Sequence, residues 1–397
     1  MLRIPIEAGG APGAPAWIEV DLEAVAHNVR QFRGMLRSGC QLVAVVKANA
    51  YGHGMVGIAR TVLDSGADQL AVASVAEGAQ LRDAGIQAPI LIAGPVLPSQ
   101  AAAVVQHGLV PSLGTIELAH AMGASCRRFP PVHIEVDTGM ARHGVPAAQI
   151  SEFVAAVRRR GRLSIAGVFT HFAATGPGAK ESMERQLGVF TAAVDSVREL
   201  RGVNRHVCNT LGALVLPPAH LDAVRIGGGL YGFDPLGGRG PVRLRPALAL
   251  KARLAALRSA APGEGVGYGS TFVCERPSRL ALVPLGYADG LVREVWNGAE
   301  VLVRGRRVRI VGQISMNQTV VDVTDVTDAA CGDEVVLLGA QGSQVVRAEE
   351  RVGPHGSVYE VTSLLRRDLS RRFVPLKTTA LRERGAATIA ELPRSPR

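Results

Sequence analysis

The chain has 397 residues, 47% hydrophobic and 20% charged, enough apolar material for a packed core and more length than one ordinary domain uses. Its formal net charge of +10 comes from scattered basic residues, with short clusters at Arg158-Arg159-Arg160 and Arg366-Arg367, and only 4% of residues are aromatic. No basic stripe interleaved with aromatics is present, which excludes nucleic acid as the expected partner; the charge suits small anionic molecules.

Residues 1–15 are rich in Gly, Pro and Ala, lack a signal-peptide apolar stretch and are expected to form a disordered extension. A short strand at 16–20 leads into helical periodicity over 21–36. Strands are then expected at 41–47, 69–74, 89–94, 109–113, 132–137, 164–171, 206–210 and 223–227, alternating with helical stretches such as 54–65, 75–84, 147–160 and 180–200. This alternation predicts an α/β fold, a closed parallel (β/α)8 or TIM barrel, over 16–245. From 246 to 376 the pattern becomes short β-rich runs at 280–283, 301–303, 307–311, 318–323 and 334–338, which predict a mostly antiparallel β-domain. The polar stretch 377–397 reads as a flexible tail. No apolar stretch reaches membrane-spanning length without Gly or charge. The five cysteines (Cys40, Cys126, Cys208, Cys274, Cys331) are widely spaced and lack C-x-x-C, so neither a zinc site nor a disulfide framework is indicated and a cytoplasmic location fits.

Within this frame one residue stands out. Lys47 closes the apolar run Val43-Ala44-Val45-Val46 and opens a turn punctuated by Gly52 and Gly54. An ammonium at the edge of a core is disfavoured by desolvation, which frees an amine for covalent chemistry with a carbonyl. The alternative is a lysine snorkelling from a strand end. Other polar residues converge on the same rim. Asp137 to Arg142 follow the fifth strand, His171 ends the sixth, Asn209 and Thr210 end the seventh, and Arg225 lies on the eighth, just before Gly227-Gly228-Gly229. Barrel enzymes place their active sites at this end, and the loops after strands seven and eight bind phosphate. The glycines let backbone N–H groups approach a phosphate closely, and Thr210 adds a hydroxyl.

From about Ile18 to Pro375 the chain resembles the alanine racemases, pyridoxal-phosphate enzymes built from a barrel and a β-domain. The resemblance rests on VAVVKANAYGHG (43–54), EVDTGMARHG (135–144), GVFTHFA (167–173), CNT (208–210), VRIGGGLYG (224–232), VGYGSTF (266–272), LGYADG (285–290) and GQISMNQ (312–318). It implies that Lys47 carries pyridoxal 5'-phosphate and serves as one catalytic base. Tyr268, reaching in from the partner subunit of a homodimer, would be the other. Racemisation removes a proton from one face of the α-carbon and returns one to the other face, so two bases on opposite sides serve both directions. Arg225 would sit at the cofactor's pyridine nitrogen; a guanidinium only donates hydrogen bonds and would keep that nitrogen unprotonated. His171 would join Arg225 to Tyr268. Tyr51, Thr210, Gly228 and Tyr359 would hold the phosphate, with Asn209 and Gly227 beside them. Arg142 and the Met316 amide of the partner subunit would bind the substrate carboxylate. Tyr359 and Tyr287 would narrow the entrance.

Three sites depart from the family pattern, one of them Gly228-Gly229, which stand where larger residues are often seen. Glu135 stands where many members carry a lysine that becomes carbamylated; the expectation is that Glu135 supplies that negative charge directly and orients Arg142. Asn317 replaces a common Asp. The implied reaction is interconversion of L- and D-alanine, feeding peptidoglycan synthesis. The alternatives are a racemase for serine or a broader amino-acid set, and a cofactor-binding relative without racemase activity. A decarboxylase on the same two-domain plan would use a carboxylate at the pyridine nitrogen, so Arg225 and Tyr268 argue against it. The β-domain argues against a lone-barrel cofactor carrier.

Overall fold

The computed structural model describes residues 14–126, 129–159, 162–176, 178–354 and 356–375. The expected extension therefore lies outside the described residues up to residue 13, as does the expected tail at 377–397.

Eight parallel strands close a barrel in the order Gln41–Val45, Gln69–Val72, Ile90–Ile92, Val110–Leu113, Pro131–Asp137, Ser164–Phe169, Asn204–His206 and Ala223–Ile226. The last pairs with the first through Ala223↔Gln41 to Ile226↔Ala44. The strands are short apolar runs because helices cover their outer faces. Capping residues set several helix starts. Asp21 accepts from the Ala24 N–H ahead of Leu22–Met35, and Ser74 accepts from the Glu77 N–H ahead of Val75–Asp83.

Inside, the barrel is chemically divided. Val43, Ala71, Leu91, Val110 and Ala223 form a small apolar cluster. Ser112, His133, Glu135, His206 and Arg225 are also buried, and are polar. Of these, Glu135 and Arg225 reach the cavity at the C-terminal mouth, and His206 and His133 lie behind Arg225.

The second domain is mostly antiparallel, as expected. Leu248–Arg253, Glu334–Gln341, Glu300–Val303 and Arg306–Arg309 form one sheet, and Ala256–Ala260, Ser278–Val283 and Thr319–Asp322 another. One expectation is corrected. The strand Ala16–Asp21, assigned to the barrel domain at 16–245, pairs antiparallel with Leu248–Arg253 and parallel with Ser370–Val374. The first described strand thus lies in the β-domain sheet, and the chain enters the barrel only through the helix that follows. Sheet membership is decided by partners remote in sequence, which local periodicity does not contain.

Candidate active site

A cavity of about 1410 Å³ opens at the C-terminal mouth of the barrel. Lys47, Tyr51, Glu135, Arg142, His171, Asn209, Thr210, Arg225, Gly227, Gly228 and Tyr359, all singled out from sequence, line it. Tyr268, Tyr287 and Met316 do not.

The segment carrying Lys47 folds in an unexpected way. Ala48, Asn49, Ala50 and Tyr51 all have φ between 52 and 54°, a left-handed turn made without glycine. Such a conformation costs L-residues about 1–2 kcal/mol each, so surrounding contacts must hold it. Ala48 N–H donates to Glu77 Oε1 (2.7 Å), Met55 N–H to Asn49 Oδ1 (2.9 Å), and the Tyr231 hydroxyl to the Val45 carbonyl (2.8 Å). His53, fully buried, donates from Nδ1 to the Ala50 and Tyr51 carbonyls. From the β-domain, Arg371 Nε donates to the Gly52 carbonyl at 2.9 Å. Gly52 itself has φ 86°, and a Cβ there would collide with the Thr362 carbonyl oxygen. Gly52→Ala should therefore lose about 3 kcal/mol or more of stability, read as a shift of the urea unfolding midpoint; an unchanged midpoint would show that the turn does not need this close approach.

Solvent reaches Lys47 through the cavity, yet its proton affinity is lowered, first by desolvation among the walls and then by the Arg142 charge, with Glu77 opposing. The same two effects act on His171. Burial, followed by the charges of Arg225, Arg142 and Lys47, brings it down to about 3.

Arg225 is almost wholly buried, and its guanidinium is held on both nitrogens. Nη1 donates to His206 Nδ1 (2.7 Å) and the His206 carbonyl (2.9 Å); Nη2 donates to the Thr170 carbonyl (2.8 Å) and lies 3.4 Å from His171 Nδ1. Burial lowers it to about 10, opposed by Glu135, so it keeps its charge at neutral pH. Because arginine only donates, His206 must accept at Nδ1 and carry its proton at Nε2, which donates to His133 Nδ1 at 2.8 Å. Phe169 stacks on His206 (4.9 Å, 9°), with the Arg225 guanidinium 5.1 Å from its ring centroid. Among the described residues, the Arg225 Nε–H has no partner, which leaves one donor at the cavity wall.

Across the mouth, Thr210 Oγ1 accepts from Gly227 N–H (3.1 Å). A Cβ on Gly228 would meet the Tyr359 hydroxyl at 2.8 Å, and one on Gly227 would meet the Tyr51 hydroxyl at 2.5 Å. Two phenols and a threonine hydroxyl thus surround glycine backbone, a cradle with no room for side chains. Burial raises both Tyr51 and Tyr359, so they stay protonated donors. This set fits a phosphate, and the remaining Arg225 donor fits an aromatic ring nitrogen. Asn209 is bound otherwise: its Oδ1 caps the helix Thr210–Val215 through the Gly212 N–H at 2.9 Å.

The remaining expectations divide. Glu135 does not pair with Arg142 as expected; its Oε2 accepts from His143 Nδ1 at 2.7 Å. Arg225 approaches His171, but Tyr268 lies outside this cavity and is 68% exposed, as Met316 is 57% exposed. Tyr287, likewise outside, carries the Arg293 guanidinium 4.6 Å from its ring centroid. Its N–H donates to the Ser315 carbonyl, and that of Ala288 to the Met316 carbonyl, so Tyr287 and Met316 share one β-domain surface. Asn317 Nδ2 lies 3.5 Å from Asp289 Oδ2; an aspartate there would face a buried carboxylate. His133, His206, His143, Phe169 and Glu77 were not singled out from sequence. The signal for His133 was present: it and Glu135 are two apart between apolar residues of one strand, so both share its inward face.

Residues 20–235 match the family model described as "Alanine racemase, N-terminal domain", and residues 247–373 match "Alanine racemase, C-terminal domain". The alanine racemase of Desulfovibrio desulfuricans is 40% identical over 368 residues, covering 91% of this chain and 98% of that protein. The crystal structure of alanine racemase from Bacillus anthracis with bound L-Ala-P superposes with a TM-score of 0.86 at 31% identity, covering 92% of this chain and 96% of that one. A histidine racemase from Leuconostoc mesenteroides subsp. sake superposes at 0.84 and 27% identity, covering 92% of this chain and 100% of that one.

Proposed function

The chain belongs to the alanine racemase family, and from that membership we propose that it interconverts L- and D-alanine with pyridoxal 5'-phosphate as cofactor. The observation that carries this reading is a single cavity in which a lysine of lowered proton affinity shares the walls with an arginine holding one remaining donor and with a glycine-hydroxyl cradle.

Lys47 would attach the cofactor, Tyr51, Thr210, Gly228 and Tyr359 would hold its phosphate, and Arg225 its ring nitrogen. The cofactor supplies the electron-withdrawing system that makes an amino acid's α-proton removable. Every other task falls to the chain. Lys47 Nζ exchanges a proton on one face of the α-carbon. The Tyr268 hydroxyl of the partner subunit exchanges one on the other. Arg142 binds the carboxylate, joined by the backbone N–H of the partner subunit's Met316. Tyr287 of the partner subunit would narrow the entrance. Because the Tyr268 and Met316 side chains are exposed and outside the chain's own cavity, a homodimer with shared sites is the assembly that completes the chemistry. No helix among the described residues is long and apolar enough to cross a membrane; we place the enzyme in the cytoplasm, where its D-alanine would feed peptidoglycan.

The histidine racemase on the same fold favours one second reading, a broader amino-acid range. The test has two parts. Borohydride treatment of the holoenzyme should fix the label on the peptide containing Lys47, and label on any other lysine would overturn the cofactor assignment. A chiral assay over alanine, serine and histidine should give the highest kcat/KM for alanine; no turnover of alanine would reject the proposal.

A further inference from the structure

We propose that His143 is a positioning residue for Arg142: it locks the loop that carries the cation by hydrogen-bonding the buried carboxylate of Glu135. This rests on the reading of Arg142 as the group that binds the substrate carboxylate.

Glu135 lies on the strand Pro131–Asp137 and is only 5% exposed. A carboxylate in that position is costly without a donor. His143 supplies it, from Nδ1 to Oε2 at 2.7 Å. The imidazole is wedged in place. A Cβ on Gly114, just after the neighbouring strand Val110–Leu113, would meet His143 Cε1 and Nε2 at 2.9 Å each. The ring therefore bridges the ends of two adjacent barrel strands.

The loop's other end is anchored separately. Asp137 Oδ1 accepts from the N–H groups of Gly139 (2.9 Å), Met140 (2.9 Å) and Ala141 (3.1 Å). Arg142 lies between the two anchors. It is exposed, lines the cavity, and makes no ion pair among the described residues. Its position is thus fixed through the backbone on either side, while its guanidinium stays available for a carboxylate. An arginine held by its own side-chain contacts would have to break them to bind. Without His143 the chain after Arg142 is next held only where Val145 pairs with Val136, and the ordering that His143 provides must be supplied when substrate binds.

The test uses holoenzyme carrying His143→Leu, His143→Gln, Gly114→Ala or Arg142→Gln. Each is measured for KM and kcat, for affinity toward propionate, a carboxylate without an amine, by calorimetry, and for amide hydrogen exchange over 138–144. His143→Leu should raise KM and the propionate Kd about ten-fold, as expected for ordering about one residue. It should leave kcat within about two-fold and speed exchange in the loop. His143→Gln, which retains an N–H donor, should recover part of the loss. Gly114→Ala should act in the same direction by displacing the ring with both partners intact, and it decides the question if His143→Leu does not fold. Unchanged propionate affinity and loop exchange in His143→Leu, or in Gly114→Ala where it stands in, would overturn the proposal, as would a fall in kcat alone. If Arg142→Gln weakens propionate binding and the His143 and Gly114 variants do not, the positioning role fails by itself. If Arg142→Gln also has no effect, the reading of Arg142 fails and the proposal with it.

Discussion

Lys47→Ala and Tyr268→Ala enzymes, assayed separately, should each lose about three orders of magnitude of racemisation, the range a positioned acid–base group supplies. Mixed under conditions that exchange subunits, they should recover about a quarter of the wild-type rate, because half the dimers become mixed and each mixed dimer holds one intact site. The reasoning is geometric. Lys47 lines the barrel cavity, whereas Tyr268 stands 68% exposed on the β-domain surface of the same chain. On the proposed reading, a single folded chain therefore offers a base for one face of the α-carbon, and its own Tyr268 does not reach the other. A second copy can supply the second base. Recovery would be measured by the rate of D-alanine formation after exchange, with subunit mixing verified by differently tagged chains. No recovery in demonstrably mixed dimers would mean that the two groups do not serve one site.

How far the sequence foretold this arrangement depends on whether the determinant was local. The mouth residues were legible because strand–turn alternation places Lys47, Asp137 to Arg142, His171 and Arg225 at corresponding strand ends, and the barrel brings those ends together. Tyr268, Met316 and Tyr287 were assigned only through the family motifs, and in this chain's own fold they lie outside the cavity. The left-handed turn at Ala48–Tyr51 could not be read at all: alanine favours the right-handed helix, and the contacts that override it come from Glu77, Tyr231 and the distant Arg371. The seventh strand shows the same limit on a smaller scale. Expected at 206–210, it is Asn204–His206, because Asn209 starts a helix by accepting from Gly212 N–H. Glu135 was assigned the adjacent cation, Arg142, but chain direction at a loop decides which neighbour turns inward, and His143 does so.

Acid should destabilise the protein well above the pH at which carboxylates titrate. His53 and His133 are lowered by burial to about 4, His171 by burial and the Arg225 charge to about 3, and His206, also buried and facing Arg225, well below its ordinary value. Each is neutral in the folded protein, while its unfolded counterpart takes up a proton near pH 6.5. A depressed folded value means that the unfolded chain binds more protons, so the stabilisation is fully present above pH 6.5 and is lost as pH falls toward 4. For His53 alone the shift corresponds to about 3 kcal/mol, and protonation there has no outlet, because Nδ1 already donates to two carbonyls and Nε2 is buried without a partner. The same holds along the interior chain. A charge on His206 would place a donor against the Arg225 Nη1 donor at 2.7 Å. The unfolding free energy from urea titrations should therefore fall steeply between pH 6.5 and 4, by up to about 5 kcal/mol per pH unit where all four histidines titrate in the unfolded chain. The carboxylates of lowered proton affinity, Glu19, Asp137, Asp325, Asp333 and Glu350, contribute only below about pH 5 and so leave the upper part of that window to the histidines. His53→Gln, which can donate to the same carbonyls and does not titrate, should reduce proton uptake on unfolding at pH 5 by about one. A flat stability profile from pH 7 to 5 would mean that these imidazoles reach solvent or acceptors that the packed barrel does not provide.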